Sequence, residues 1–505
     1  MTSNHFRSEW LQISENISFK YIFLNQCQSK EDFYLAIYMK STLFSIVMLC
    51  HFCLFSQQGQ IKSVDGSLAD IETVLQQYIR IPSVSGQERM AGDFLKTVCR
   101  NNGLYIADFG AEDGQYNFAA SMFPLSSGKP NIVFLNHIDV VPESDSQLHE
   151  PYEGKIEDGV IYGRGSLDNK GAAMMQLYGI LSIIQEQNYE KSPYNITFLA
   201  VSCEETQCSG GISYVNEHHF NELNPSVVFG EGPSELTSLM EGDFIQPVFG
   251  ISVVHKKPLW IQLELQSKTT GHGSITPLNY ANKELVSALE KLTRKKPKAI
   301  YNDINIKFLK DLAQYHKGGE KMVLKHPKFF RPVLTGQLRS HPELFALFTN
   351  TITLTNIYSN SNAVNKMASV AGAQLDCRLL PETNEQEFLN MIRKTLKNDD
   401  IKITVLKTLP NNQVSSTETV YYKNLSLAIQ EKYPEAKTID MMMPNINDLG
   451  SFRAKNIPAY GTLPIVCDIE EVRSVHGKDE HLHINSLYDG AEVFENFIRR
   501  MIAGE

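Results

Sequence analysis

The segment NIVFLNHIDVVPE (131–143) carries two side chains that could do chemistry, the imidazole of His137 and the carboxylate of Asp139. Both follow an apolar, β-branched run (131–135) that has the composition of a buried strand. On these two residues alone, two interpretations remain open. They are a functional pair at the end of a strand, or a capping aspartate beside a surface histidine.

Further acidic residues follow other apolar runs in the same way. NITFLAVS ends before Glu204 and Glu205, SVVFG ends before Glu231, and the glycine-rich turn YGRGSLDNKGA brings Asp168 to the start of a helix. Ligands of open parallel sheets bind beyond the carboxyl ends of the strands, so we expect these carboxylates to converge. Converging carboxylates repel each other unless cations lie between them. Oxygen ligands with one or two imidazoles suit zinc, manganese or cobalt.

The elements that must position these residues alternate between helix and strand from about residue 67 onwards. A first amphipathic helix is expected behind Ser67, a suitable N-cap. The runs from NIVFLN to SVVFG then alternate strand, helix, strand, helix and strand. This order predicts an α/β fold with a doubly wound, mixed and largely parallel sheet.

A different pattern begins near residue 250, where LWIQLELQS alternates strictly between apolar and polar residues. The following segments predict an α+β unit of the β-α-β-β-α-β type, interrupted by a long polar stretch. We interpret residues 250–410 as an inserted lid or dimerisation domain. Residues 66–249 and 411–505 would then form one discontinuous catalytic domain.

Size and charge limit the possible functions. The chain has 505 residues, 42% of them hydrophobic, and a net charge of -10. It is therefore large enough for two or more domains, and it lacks the basic face that a nucleic-acid partner would require. Five of the eight cysteines lie beyond residue 60, without regular spacing. Cys203 and Cys208 could pair, but buried free thiols are the favoured interpretation.

The N-terminal segment resembles an export signal. MKSTLFSIVMLCHFCLFSQQGQ begins at Met39 with one lysine, continues with a short apolar run and ends in polar residues. We interpret residues 39–58 as a signal peptide, residues 1–38 as a possible misannotated extension, and the mature chain as secreted or periplasmic without a membrane span. The alternative is a cytosolic protein with a buried apolar helix at this position.

Several motifs together resemble the two-zinc metallopeptidases of clan MH, which include glutamate carboxypeptidase, aminoacylase, carboxypeptidase S and succinyl-diaminopimelate desuccinylase. They are NHIDVVP, PYEGKIEDGVIYGRGSLDNKG, AVSCEET, VVFGEG, TTGHGS, LDCRLLP and SVHGKDE, in the family's order. The resemblance implies a zinc-peptidase catalytic domain with an inserted lid and two zinc ions per subunit.

The resemblance also implies roles for individual residues. His137 would bind the first zinc, Asp168 would bridge both ions, and Glu205 would bind the second. Glu204 would be the general base that takes a proton from the attacking water. A third carboxylate ligand is the alternative for Glu204. Asp139 would orient the ring of His137.

The SVHGKDE motif would supply the remaining ligand of the second zinc, His476. Two nearby histidines, His481 and His483, do not fit the motif, and we interpret them as surface residues.

One motif departs from the family. Where the family often has Asp-Glu-Gly, this chain has Gly230, Glu231 and Gly232. The glutamate side chain is long enough to substitute for the aspartate, so Glu231 is assigned to the first zinc. The alternative is that Glu231 only lines the cleft and that metal binding is weakened.

Three residues of the insert would complete the site by resemblance. His272 in TTGHGS would stabilise the oxyanion in the partner subunit's site of a homodimer. Arg378 and Asn362 would bind the carboxylate of the substrate, which suits the planar guanidinium of arginine. The alternatives are a turn histidine for His272 and a surface strand residue for Arg378.

These expectations describe a zinc-dependent hydrolase that cleaves a peptide or amide bond beside a free carboxylate, in small peptides or N-acyl amino acids. The alternative enzyme is an N-acyl-amino-acid deacylase. A third possibility, motivated by Gly230, is a non-catalytic binding protein on the same fold.

Overall fold

The computed structural model describes residues 59–143, 148–187, 189–237, 245–268, 271–410 and 413–504. The predicted extension (1–38) and signal peptide (39–58) lie outside the described residues, so both stay predictions. Among the described residues, no helix is long and apolar enough to cross a bilayer.

The larger sheet has eight strands in mixed orientation, in the spatial order Lys437–Met443, Val248–His255, Ala459–Gly461, Pro225–Gly230, Asn131–His137, Asn195–Val201, Gln115–Ser121 and Tyr105–Glu112. Its centre is parallel: Asn131–His137 lies between Pro225–Gly230 and Asn195–Val201 and runs parallel to both. Every residue of Asn131–His137 and Asn195–Val201 is buried, which explains their unbroken apolar character. The predicted α/β fold with a mixed, largely parallel sheet is confirmed.

Helices pack on this sheet through the larger apolar core. The long helices Lys170–Gln185 and Ile484–Ala503 lie against each other, and a Cβ atom on Gly179 would lie 2.8 Å from the backbone nitrogen of Glu495. The absence of a side chain at Gly179 therefore permits this close approach. The other helices outside the insert are Ile71–Ile79, Arg89–Asn101, Ile212–His218, Phe220–Leu223, Val420–Lys432, Leu449–Arg453 and Ile469–Ser474.

The insert contains a four-stranded antiparallel sheet in the order Thr351–Ser359, Val370–Leu379, Lys257–Gln266 and Ile401–Thr408. Helices Ala281–Thr293 and Glu385–Leu396 pack on it and form a separate apolar core. The strands and helices follow the predicted β-α-β-β-α-β order. Shorter strands pair as Ile61–Lys62 with Leu68–Ala69, Gly271–His272 with Lys366–Met367, and Val160–Tyr162 with both Lys155–Glu157 and His481–His483.

The long polar stretch that interrupts the predicted α+β unit contains four helices, Asp303–Leu312, Gly318–Lys325, Arg331–Leu338 and Pro342–Ala346. Apolar residues of these helices, including Phe308, Leu309 and Leu334, pack into the larger core and not into the core of the insert. This part of the chain therefore packs with the predicted catalytic domain. The domain boundaries at 250 and 410 stay predictions.

Two expectations about individual residues are wrong. The first helix begins at Ile71 behind Asp70, because Ser67 belongs to a turn in which its Oγ donates a hydrogen bond to Asp65. Cys203 and Cys208 form a disulfide and are not free thiols. Cys99, Cys377 and Cys467 are buried thiols, as expected.

Candidate active site

His137 ends the central strand and points its ring toward the crevice beyond the strand. Its Nδ1 lies 2.8 Å from the carbonyl oxygen of Asp139, which fixes Nε2 as the outward-facing nitrogen. Nε2 lies 3.1 Å from Oδ1 of Asp168 and 3.6 Å from Oε2 of Glu231. The expected pairing of His137 with Asp139 is therefore made mainly by the carbonyl, since the nearest carboxylate oxygen is 3.6 Å from Nδ1.

Asp168 lies between two histidines. One of its oxygens, Oδ1, faces Nε2 of His137, and the other, Oδ2, lies 3.2 Å from Nε2 of His476. Nε2 of His476 is also 3.0 Å from Oε1 of Glu205. Asp168 is thus shared by two groups of potential ligands, one with His137 and Glu231 and one with Glu205 and His476. In each group the ligand atoms lie within 4.8 Å of one another.

The carboxylate of Asp139 holds the turn that carries the two adjacent glutamates. It accepts hydrogen bonds from the backbone N–H groups of Glu204 and Glu205, at 3.0 and 3.1 Å, and from Ser85 Oγ at 2.6 Å. Because Asp139 is fully buried, its charge needs these donors. The same residue thereby ties the end of one parallel strand to the turn beyond its neighbour.

The absence of a side chain at Gly230 allows Leu449 and Leu135 to pack close to its backbone. A Cβ atom at this position would lie 3.1 Å from Leu449 Cδ2 and 3.2 Å from the carbonyl oxygen of Leu135. An aspartate here would therefore require Leu449 to move. Glu231, the next residue, provides the carboxylate that lies beside His137.

Several buried carboxylates lie close together in this cluster, and burial and mutual repulsion shift their pKa values. Burial and the charges of Glu231 and Asp448 raise the pKa of Glu204 well above its usual value. Burial and the charge of Asp168 raise the pKa of Glu231 to about 7. Hydrogen bonds with Asp168 and Glu205 raise the pKa of His476 to about 10. The cluster thus favours additional positive charge.

For His137 and Asp168, at the centre of the cluster, burial and hydrogen bonds shift the pKa in opposite directions. It alone would lower the pKa of His137, but hydrogen bonds with Asp139, Asp168 and Glu231 raise that pKa well above its usual value. It alone would raise the pKa of Asp168, but the hydrogen bonds with His137 and His476 lower that pKa. The histidines therefore act as the cations that these carboxylates attract.

The donor set fits divalent metal ions. Carboxylate oxygens and imidazole nitrogens are the ligands that zinc and related ions take in open catalytic sites. A pocket lies beside His137, Glu204 and Glu231. Three buried acceptors in its lining have no hydrogen-bond partner among the described residues: Asn169 Oδ1, Asn447 Oδ1 and Asp448 Oδ2. Such unsatisfied oxygens fit a site that receives a cation, water or a donor from a ligand.

The residues expected from the insert lie elsewhere within a single chain. His272 is exposed, with Nδ1 2.8 Å from Ser274 Oγ and Nε2 3.3 Å from Asn365 Nδ2. Asn362 is exposed. Arg378 is half-buried and donates from Nε and Nη2 to the two carboxylate oxygens of Asp376, at 2.8 and 2.9 Å. The structure therefore brings the predicted metal ligands and Glu204 together, and leaves these three residues outside that cluster.

The nearby histidines His481 and His483 are partly exposed, and neither belongs to the two ligand groups that share Asp168. Their strand pairs with Val160–Tyr162. His483 Nε2 lies 3.9 Å from Asp468, which together with Glu471 forms the N-terminal cap of a short helix.

Sequence reasoning missed two acidic residues near the site. Asp448 is buried and lines the pocket beside Glu204 and Glu231, and burial raises its pKa to about 7. It follows the parallel strand Lys437–Met443, so recognition of that strand would have pointed to it. Glu480 accepts hydrogen bonds from Arg164 and from the backbone N–H groups of Gly165, Leu167 and Asp168, at 2.8 to 3.1 Å.

Comparisons with known proteins identify the family of the chain. Residues 133–500, more than half of the chain, match the family described as "Peptidase family M20/M25/M40". The chain belongs to this family. It is accordingly a hydrolase of the M20 type with candidate metal-binding residues, and the possibility of a non-catalytic binding protein is not favoured.

Relatives of the M20 chain include "Probable carboxypeptidase S-like 2" of Dictyostelium discoideum, 24% identical over 73% of this chain and 71% of that protein. Another is "N-fatty-acyl-amino acid synthase/hydrolase PM20D1" of Mus musculus, 25% identical over 75% of this chain and 76% of that protein. Among solved structures, the M20 family metallo-carboxypeptidase Sso-CP2 of Sulfolobus solfataricus has a similar fold. Its TM-score is 0.64 at 18% identity, over 86% of this chain and all of that one.

The buried ion pair of Arg164 and Glu480 generates a prediction about stability. Both side chains are at most 2% exposed, so Glu480→Gln would leave the guanidinium buried without its counter-charge. We expect a loss of about 3–5 kcal/mol in the free energy of unfolding. Glu418→Gln is the matched control, because the Lys423–Glu418 pair is 2.9 Å apart but largely exposed, and it should change the free energy of unfolding far less than Glu480→Gln. Equal losses in denaturant titrations of the two variants would contradict the structural role of Glu480.

Proposed function

We propose that this M20 chain is a zinc-dependent hydrolase that cleaves a peptide or amide bond next to a free carboxylate, with two zinc ions per subunit. The observation that supports this most is the position of Asp168, whose two oxygens face two different histidines. A bridging carboxylate between two three-residue groups is the arrangement expected for a two-metal site.

The ligand assignments follow the two groups. His137 and Glu231 would hold the first ion, Glu205 and His476 the second, and Asp168 both. When bound, such ions lower the pKa of a water molecule and polarise the carbonyl of the substrate. Asp139 acts through its neighbours, because it orients the ring of His137 and fixes the backbone of Glu204 and Glu205.

Glu204 is proposed as the general base. It lines the same pocket as His137 and Glu231, and its pKa is raised by burial first and then by Glu231 and Asp448. A carboxylate with a raised pKa accepts a proton from the attacking water more readily near neutral pH. The same group can then deliver that proton to the leaving nitrogen.

The proposed substrate class rests on the insert and on the relatives. Arg378 and Asn362 are proposed to bind the free carboxylate, and Arg378 would then exchange its contact with Asp376 for the substrate. The relatives are named for carboxypeptidase and for N-fatty-acyl-amino acid synthase/hydrolase activity. Carboxypeptidase substrates and N-acyl amino acids both place the scissile amide beside a carboxylate, so an N-acyl-amino-acid deacylase remains the second candidate.

A substrate screen with a base variant tests this function. Dipeptides and N-acyl amino acids should be hydrolysed with zinc and not after chelation, and the same compounds with amidated carboxyl ends should react poorly. Glu204→Gln should lower kcat about 10²- to 10⁴-fold while two zinc ions remain bound. Glu205→Gln, the neighbouring control, should lose zinc instead. Zinc loss from Glu204→Gln would identify Glu204 as a ligand and contradict its role as base.

We also propose that the active unit is a homodimer in which His272 serves the partner's site. His272 is exposed on the insert and its ring nitrogens contact only residues of the insert, Ser274 and Asn365, among the described residues. A histidine in this position could reach a second subunit and stabilise the oxyanion there.

Mixed dimers test the sharing of His272. Co-expression of His272→Ala and Glu204→Gln chains should recover activity, because one site of each mixed dimer has both Glu204 and the partner's histidine. Random pairing makes about half of the dimers mixed, so roughly a quarter of the sites should work. Each variant expressed alone is the control. No recovery in verified mixed dimers would place His272 in its own subunit's site or outside catalysis.

Export remains a proposal from the segment that begins at Met39. The N-terminal residue of the chain, sequenced from protein produced in its native source, should lie shortly after Phe55. A chain that begins at Met1 would contradict export by this signal.

A further inference from the structure

A disulfide closes the segment that carries both central glutamates. Cys203 and Cys208 are five residues apart, and Glu204 and Glu205 lie between them. Cys203 is 5% exposed and packed within the domain, whereas Cys208 is exposed. The bond therefore joins the exposed end of the turn to a buried point just beyond the strand Asn195–Val201.

The backbone of this segment needs such a constraint. Cys203 has φ 64° and Gln207 has φ 52°, so a non-glycine residue adopts the left-handed conformation near each end of the turn. These conformations cost free energy and persist where the surrounding structure fixes them. A covalent bond between residues 203 and 208 restricts both positions together.

Gln207 links this backbone to the proposed base. Its Nε2 donates to the backbone oxygen of Glu204 at 2.8 Å and to Glu204 Oε1 at 3.0 Å. The side chain of Glu204 is thus oriented by the residue directly before Cys208. Lys407, from the insert, donates to the backbone oxygen of Gln207 and holds the same part of the turn.

Asp139 fixes only the other part of the segment. Its carboxylate accepts from the N–H groups of Glu204 and Glu205 and thereby holds their backbone. The hydrogen bond from Gln207 to the Glu204 carboxylate does not involve Asp139. The disulfide and Asp139 therefore constrain different parts of the turn.

We propose that the Cys203–Cys208 disulfide positions Glu204 for proton transfer and Glu205 for metal binding. This inference rests on the proposed function, because it assumes those two roles. The cysteines are positioning residues: their sulfur atoms act through the turn and not on the substrate.

The test compares Cys203→Ser, Cys208→Ser and the double variant. Either single change removes the bond, so all three should lose the same amount of activity, and the losses should not add. A displaced catalytic group lowers turnover up to about 10²-fold, and we expect kcat to fall by about 10- to 100-fold with KM changed less than threefold. Ser209→Ala is the matched control, because Ser209 is exposed beside Cys208 and leaves the bond intact.

Metal binding gives a second readout that does not need a substrate. In competition with a chelator, the bond-free variants should bind one of the two zinc ions about 10- to 100-fold more weakly, as expected for a lost supporting contact. Excess zinc should restore occupancy but not the kcat that depends on the orientation of Glu204. Peptide mapping of the unreduced wild-type chain should show the Cys203–Cys208 link.

Three outcomes would overturn the proposal. They are free thiols at both positions in fully active enzyme, a Cys208→Ser variant with wild-type kcat and zinc affinity, or a defect confined to Cys203→Ser. The last would assign the effect to packing of Cys203 alone. Wild-type protein that binds zinc but hydrolyses no substrate would instead contradict the proposed function, and the zinc competition would still test the disulfide.

Discussion

Mutual repulsion of buried carboxylates is the constraint on which the site depends. Asp168, Glu204, Glu205, Glu231 and Asp448 meet near the ends of the parallel strands, and among the described residues two histidines, His137 and His476, belong to the same cluster. The pKa values of Glu231 and Asp448 rise to about 7, first because of burial. Such an arrangement is unfavourable for folding by itself, and a fold that keeps it must supply cations and fixed hydrogen-bond donors.

The surrounding structure supplies those donors through the backbone. Glu480 accepts hydrogen bonds from three backbone N–H groups of the loop that carries Asp168. Its buried partner Arg164 also donates to the carbonyl oxygen of Gly477, next to His476. Asp139 binds the turn that carries Glu204 and Glu205 in the same way. These two ligand segments are therefore each held by a buried acid that is not itself in either ligand group. Precise placement of ligands depends on such supporting contacts as much as on the ligands.

The central part of the site could be predicted from sequence because it follows strand periodicity. His137, Glu204, Glu205 and Glu231 each stand directly after a recognisable apolar run, and adjacent parallel strands end at the same edge. The strand Lys437–Met443 was not recognised, so Asp448 beyond it was missed. The roles of Glu480 and of the Cys203–Cys208 bond depend on contacts between residues distant in sequence or on the folding of a turn, and no local pattern encodes them. The helices between 303 and 346 were missed because only short apolar stretches of each face the larger core.

The insert and the domain of the large sheet contribute different groups to the proposed site. The ligand groups and Glu204 all come from the ends of strands and the loops of the large domain, where burial and backbone hydrogen bonds fix them. The insert contacts this region through Lys407, which holds the Gln207 carbonyl and whose pKa is lowered by burial despite the opposing charges of Asp448 and Glu204. Arg378, in the same sheet, is occupied by Asp376. In the proposed enzyme, Arg378 of the insert would recognise the substrate's carboxylate and His272 would reach the partner's site, while the metal ligands and the general base come from the larger domain. Substitutions at Arg378 would then change substrate preference without displacing the crowded carboxylates, whereas substitutions at Lys407 would disturb the turn that carries Glu204.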